Sequence, residues 1–205
     1  MELYQRPWDG QPVGAKDDGL SADEKSQLQI LVREGSTLPP SSHRPIRVEY
    51  EYDRRGTVAY LAAMDVAAGT IFGRVDDSTG IVPCKRLVEL VMDQEPYASA
   101  DRVFWIVDNG SSQYTTTFPP RLKAASPKAI ALHLPIHAGW LNQIEISFSI
   151  LQRKALTPTD RGDRDALEEW LLGFQERYNR TAQPFQWRFT RQNLEQRMKR
   201  WKLAA

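Results

Sequence analysis

Five consecutive apolar residues, Val103-Phe104-Trp105-Ile106-Val107, followed at once by Asp108-Asn109-Gly110, constrain this chain more than any other feature. A strand that is apolar at every position must be covered on both faces, so it belongs inside a mixed or parallel sheet. In such sheets, ligand-binding groups collect at the carboxyl ends of the parallel strands. Asp108 stands at that end. An acid there either faces a cleft or carries a desolvation penalty that a cation would offset. The competing role is an Asx turn ahead of Gly110.

The rest of the chain supplies partners for that strand. Thr57–Met64 and Thr70–Val75 read as two strands joined by the turn Ala67-Ala68-Gly69, a hairpin. Ala129–Leu134 reads as a further strand, ended by Pro135. Helical spacing appears at 82–94, through Leu87, Leu90 and Val91. It recurs from about Leu141 to Ala155, and over 164–179 through Leu167, Trp170, Leu171, Phe174 and Tyr178. Residues 35–47, with Pro39-Pro40, Ser41-Ser42 and Pro45, read as a loop. A hairpin followed by alternating helices and strands implies an α/β fold, a mixed sheet with helices on its faces. Residues 1–19 are predicted as an irregular lead-in, 20–180 as the main domain, and 181–205 as a basic C-terminal helix or tail.

Composition narrows the function. The 205 residues carry 27 Lys and Arg against 26 Asp and Glu, a net charge of +1, so any nucleic-acid contact must use local patches. One such patch lies at 188–202, where Arg188, Arg191, Arg197, Lys199, Arg200 and Lys202 face the single acid Glu195. Leu194, Met198 and Trp201 would turn one side of that segment onto the body. A single cysteine, Cys84, excludes an intrachain disulfide and any cysteine-built metal site, in keeping with a reducing cytosol. No apolar run reaches the roughly 18 residues of a membrane span, and Met1–Arg6 lacks a signal-peptide core.

A second acid, Glu145, sits in Leu141-Asn142-Gln143-Ile144-Glu145-Ile146. Ile144, Phe148, Leu151 and Ala155 form the apolar side of this helix, and Asn142, Glu145, Ser149 and Gln152 a polar stripe. Glu145 has no Lys or Arg three or four residues away, so the usual helix-surface ion pair is missing. Three carboxylates can hold two Mg²⁺ ions about 4 Å apart, one activating water and one stabilising the leaving oxygen. Asp23, Asp53, Asp65, Asp76 and Asp77 are all candidates for the third, and pattern alone leaves the choice open. His133 and His137 are spaced like a zinc pair on a helix, but the strand-like pattern and the intervening Pro135 set their rings apart. No nucleophile elbow or phosphate-cradling glycine loop occurs.

Three segments carry a resemblance. Ser21–Ser26, Trp105–Ser112 and His137–Glu145 resemble, in order, the acidic motifs of bacterial insertion-sequence transposases related to the mariner superfamily. The likeness extends to Phe148–Lys154, Tyr178-Asn179 and Pro184–Trp187. It implies a ribonuclease-H-like mixed sheet flanked by helices and an Asp–Asp–Glu triad of Asp23, Asp108 and Glu145. It further implies two bound Mg²⁺ or Mn²⁺ ions, cleavage of DNA at transposon ends, and transfer of the freed 3′-hydroxyl to target DNA. Asn109 and Asn142 are expected to orient the acids. His137, Trp140, Arg153, Lys154, Arg191, Lys199 and Arg200 are candidates for contact with DNA. The expected partners are DNA and a second copy or a full-length transposase, in the bacterial cytoplasm at the nucleoid.

The sequence also departs from the family pattern. Gln113 stands where relatives often have histidine, and Gly139 where serine is frequent. The helix-turn-helix modules that usually precede the catalytic domain, and that read bases in the major groove, are not seen ahead of Asp23. Two rival readings follow: a non-catalytic, truncated DNA-binding or regulatory remnant, and a structure-specific nuclease built on the same sheet.

Overall fold

In the computed structural model the described residues are 7–8, 11–12, 14–35, 38–47, 51–110, 116–136, 138–157, 161–188, 190, 192–193 and 195–196. Seven strands are assigned among them: β1 (Pro7–Trp8), β2 (Gln11–Pro12), β3 (Asp17–Arg33), β4 (Tyr52–Asp65), β5 (Ile71–Asp76), β6 (Arg102–Val107) and β7 (Ala129–His133). Four α-helices accompany them: α1 (Ile81–Met92), α2 (Phe118–Ala125), α3 (Ile144–Ala155) and α4 (Arg164–Asn179). β1 and β2 pair only with each other, and the rest form a mixed sheet in the order β5-β4-β3-β6-β7. β3, β4 and β5 are antiparallel neighbours, whereas β6 runs parallel to both β3 and β7.

Side chains alternate across the strands, and each face of the sheet has its own core. Leu20, Ala22, Ala59, Leu61, Ala63, Val103, Trp105 and Val107 pack with Leu87, Val88 and Val91 of α1 and with Phe118 and Leu122 near α2. Val58, Tyr60, Ala62 and Met64 point the other way, onto Ile144, Phe148 and Leu151 of α3 and Leu167 and Leu171 of α4. The apolar run of β6 is therefore covered on both sides, as its sequence requires. Polar ties lock α4 to the sheet: the Tyr60 hydroxyl donates to Gln175 Oε1 at 2.7 Å, and Asn179 exchanges two hydrogen bonds with the backbone of edge-strand residue Ile71. The β4–β5 turn needs Gly69 at φ 76°, because a Cβ there would meet the carbonyl oxygen of Gln183 at 2.3 Å.

Three features differ from the sequence reading. The stretch predicted as an irregular lead-in contains β1, β2 and the start of β3, whose polar Asp17 and Asp18 pair with Arg102 and Val103 of β6. Strand order there comes from neighbours rather than from alternation. The sequence reading places no helix at 118–125; in the fold Pro119 and Pro120 occupy the first turn of α2, where no amide donor is needed. The helix expected near Leu141 begins instead with a short 3-10 turn, Gly139–Leu141, and α3 proper opens at Ile144. Gln113, His137, Arg191, Lys199 and Arg200 lie outside the described residues, as do the apolar positions 194, 198 and 201 of the expected tail helix.

Candidate functional site

The parallel register of β3 and β6 organises the site. Its last paired residues are Ser21 and Ile106. Two positions further along each strand stand Asp23 and Asp108. They would be direct cross-strand neighbours if the ladder continued, and they share a face of the sheet with Ser21. β3 meanwhile stays paired with β4, Asp23 opposite Ala62, and becomes irregular between Lys25 and Leu28, where Gln27 takes φ 56°. Bulges of this kind re-aim side chains beside functional sites.

Asp108 forms the Asx turn considered for it. Its Oδ1 accepts from the Gly110 amide at 2.7 Å, closing the Asx turn, while Oδ2 enters no hydrogen bond among the described residues. Asn109, expected to orient an acid, bonds elsewhere: its Nδ2 donates to the Leu134 carbonyl at 2.8 Å, tying the end of β6 to the end of β7. It steadies the turn that carries Asp108.

Glu145 lies exposed in the first turn of α3. Asn142 precedes the helix rather than joining a surface stripe, and it is only 1% exposed. Its Nδ2 donates to the Ala22 carbonyl at 3.0 Å and to Asp23 Oδ2 at 3.1 Å, and its Oδ1 accepts from the Ser21 hydroxyl. Ser21 Oγ in turn accepts from the Ile144 amide at 2.9 Å. The start of α3 is thereby fastened to the strand that carries Asp23.

Asp23 senses the charge of both other acids. The Asp23 carboxyl is pushed up from 3.8 to about 7, first by burial, then by the negative charge of Asp108, with Glu145 adding to the same effect. The Glu24 amide, donating at 2.8 Å, and Asn142 oppose the rise without cancelling it. Among the described residues, no three His, Cys, Asp or Glu side chains close around a common point as a metal cluster. The donor set, carboxylate oxygens on three separate elements, is of the hard kind that Mg²⁺ and Mn²⁺ take.

The rival acids are engaged elsewhere. Asp65 accepts from the Ala67 and Ala68 amides, each at 2.7 Å, and from the Tyr97 hydroxyl at 2.6 Å. Asp76 is paired with Arg74 and Arg86, Asp77 with Arg164, and Asp53 with Arg55. Arg153 and Lys154 stand exposed in the last turn of α3. Trp140 is half-buried against Ile106, Leu134 and Leu141, a packing position. His133 ends β7 with its ring edge-on to Phe118, the centroids 6.2 Å apart. Ser21 is the residue whose role sequence reasoning missed. Its signal was available: in Leu20-Ser21-Ala22-Asp23, alternation puts the serine on the face of the acid.

A five-stranded mixed sheet with helices on both faces and an acid at the break between two parallel strands is a ribonuclease-H-like fold. Its counterpart among solved structures is the Mos1 mariner paired end complex with Mn, matched with TM-score 0.55 at 12% identity over 77% of this chain and 48% of that one. A pre-cleavage Mos1 transpososome aligns with TM-score 0.43 at 12% identity, over 79% of this chain and 54% of that one. This chain thus spans about half the length of the solved chains it matches. Residues 20–168 match the family of DDE superfamily endonucleases, and the chain belongs to that family. No curated protein matches it.

Proposed function

We propose that this chain is the catalytic domain of a DNA transposase, cleaving DNA strands at transposon ends and joining the freed 3′-hydroxyl to target DNA through Asp23, Asp108 and Glu145. The observation that carries the reading is the raised Asp23 carboxyl, which feels both other acids although each belongs to a different element. The β3–β6 register gives independent support. Asp65, Asp76, Asp77 and Asp53 already have partners, which leaves Asp23 as the third acid.

Two Mg²⁺ or Mn²⁺ ions would be held by the carboxylates of Asp23, Asp108 and Glu145. Bound there, such ions supply an activated water and stabilise the leaving oxygen. The protein's own part is placement. Asn142 fixes the plane of the Asp23 carboxyl through Oδ2, and the Asx turn engages Asp108 Oδ1 while leaving Oδ2 available. No side chain need become a covalent nucleophile, because the attacking groups are water and then a DNA 3′-hydroxyl. Arg153 and Lys154 would contact phosphates, with His137, Trp140, Arg191, Lys199 and Arg200 as further candidates for DNA contact. The partners would be transposon-end and target DNA and a second copy or a full-length transposase, in a bacterial cytoplasm at the nucleoid. Among the described residues, no helix is long and apolar enough to cross a membrane.

The test is nicking of supercoiled plasmid bearing transposon ends, with Mg²⁺ or Mn²⁺, by the wild type and by Asp108→Asn. Loss of about 10⁴-fold or more is expected in the variant, the scale on which members of a catalytic unit act, with an unchanged circular dichroism spectrum. Full activity in Asp108→Asn would refute the assignment. Preference for four-way junctions over transposon ends would redirect it to a structure-specific nuclease, and a metal-independent, inert wild type to a DNA-binding remnant.

A further inference from the structure

Between Asp23 and Glu145 lies one fully buried hydroxyl. Ser21 has 0% exposure, and its Oγ both donates to Asn142 Oδ1 and accepts from the Ile144 amide at 2.9 Å. Ile144 opens α3 and immediately precedes Glu145; Ser21 stands two residues before Asp23 on the same face of β3. The first amides of a helix lack intrahelical acceptors, and the residue at the cap position, Gln143, provides no side-chain cap. The acceptor comes instead from a strand more than a hundred residues earlier in the chain. Asn142 completes the link by donating to Asp23 itself.

We propose that Ser21 is a positioning residue: a helix cap delivered across the fold which, with Asn142, sets the separation of the Asp23 and Glu145 carboxyl groups for binding a divalent cation. The proposal rests on the transposase reading above and goes beyond it in naming what fixes the spacing. The apolar side of α3, Ile144, Phe148, Leu151 and Ala155, already holds the helix against the sheet. Such contacts are non-directional and tolerate small slides and rotations. A hydrogen bond has a preferred length and angle, so the Ser21 link fixes the one coordinate that apolar packing leaves soft. Without the hydroxyl, Asn142 Oδ1 and the Ile144 amide lose their shared partner in a site closed to water.

Calorimetric titration of the full chain with Mn²⁺, without DNA, tests this on the wild type, Ser21→Ala, Ser21→Thr and Asn142→Ala. Groups that orient metal ligands from behind typically contribute 10–100-fold in affinity. Ser21→Ala is therefore expected to bind Mn²⁺ about 10-fold more weakly or worse, and Ser21→Thr, which keeps the hydroxyl, close to the wild type. In plasmid nicking, kcat should fall for Ser21→Ala with KM for DNA unchanged. A Ser21→Ala protein with wild-type Mn²⁺ affinity, however far its melting temperature drops, overturns the proposal, as does a threonine variant no better than alanine. If Ser21→Ala does not fold, Asn142→Ala cuts the same link from the helix side, and wild-type Mn²⁺ affinity there is equally fatal. Failure of the wild type itself to bind Mn²⁺ would instead strike the transposase reading.

Discussion

Two buried or half-buried carboxylates near one end of the β3–β4 pairing, three register positions apart, have opposite surroundings. Asp65, 5% exposed, closes β4 and has three donors directed at it: two turn amides and the Tyr97 hydroxyl. Burial, with that bond to Asp65 next, raises the Tyr97 hydroxyl above its ordinary value, so the phenol stays a donor. Asp23, opposite Ala62 on the same pair of strands, has a backbone amide and a side-chain amide for donors, and two further negative charges for neighbours. One acid is compensated locally and belongs to the architecture. The other is left short of positive charge, the environment that marks a candidate functional group.

The largest expected effect breaks that pairing of roles. Asp23→Asn should lower metal-dependent nicking by about 10⁴-fold while raising the melting temperature in chelator at pH 8, because it removes a half-buried charge that repels its neighbours. A variant that loses stability along with activity would make Asp23 an architectural acid like Asp65. Next in size is the pH dependence of the metal-free protein. Between about 4 and 7 the folded state keeps a proton on Asp23 that the unfolded chain has released. Unfolding free energy therefore falls as pH rises through this window and levels off above it. The ceiling is roughly 4 kcal/mol at 1.36 kcal/mol per unit, read from urea melts at each pH. Mg²⁺ selects the ionised form, so its stabilising effect should be larger at pH 8 than at pH 5.5. A flat profile that stays flat in Asp23→Asn would remove the electrostatic basis of the site.

The architectural acid gives the converse. Asp65→Ala strands the Tyr97 hydroxyl and two turn amides, at a cost of about 3 kcal/mol on the scale of unsatisfied buried groups. Thermal melts should show that loss, while nicking per folded molecule stays near the wild type. If activity collapses in the folded fraction, the two acids are not separable and the contrast between them fails.

Much of this was legible in the sequence, for a reason that separates two kinds of residue. β6, the β4–β5 hairpin and α4 announce themselves because each buries its own apolar pattern. β3 does not: Asp17, Asp18, Lys25, Gln27 and Gln29 make a polar strand whose order depends on β4 and β6 to either side. Asp108 and Glu145 could be picked out by position, since one ends an apolar strand and the other lacks an ion-pair partner on its helix. Pattern alone could not separate Asp23 from four other aspartates; only the resemblance of Ser21–Ser26 to a family motif singled it out. The helical spacing sets Asn142 on a surface stripe, whereas the fold buries it ahead of α3 with its amide on Asp23. Its burial comes from Ser21 and Ala22, residues that no local window contains. Alternation puts Ser21 on the face of Asp23, but its partners Asn142 and Ile144 lie more than a hundred residues away, so the cap itself went unread.

The smallest effect concerns the far end of α3. Its first turn carries Glu145 beside the other acids, whereas its last turn exposes Arg153 and Lys154. One helix would then serve chemistry at its start and backbone binding at its end. The double variant Arg153→Gln, Lys154→Gln separates these uses. Each lost phosphate contact should reduce the slope of log affinity against log salt by about 0.9, measured by titrating labelled duplex at several salt concentrations. kcat at saturating DNA should hold, because neither cation lies near the carboxylates. An unchanged slope would remove these two side chains from the DNA path. A fallen kcat would mean that the C-terminal turn helps to set where Glu145 points, which the tie at Ser21 and Asn142 should already have fixed.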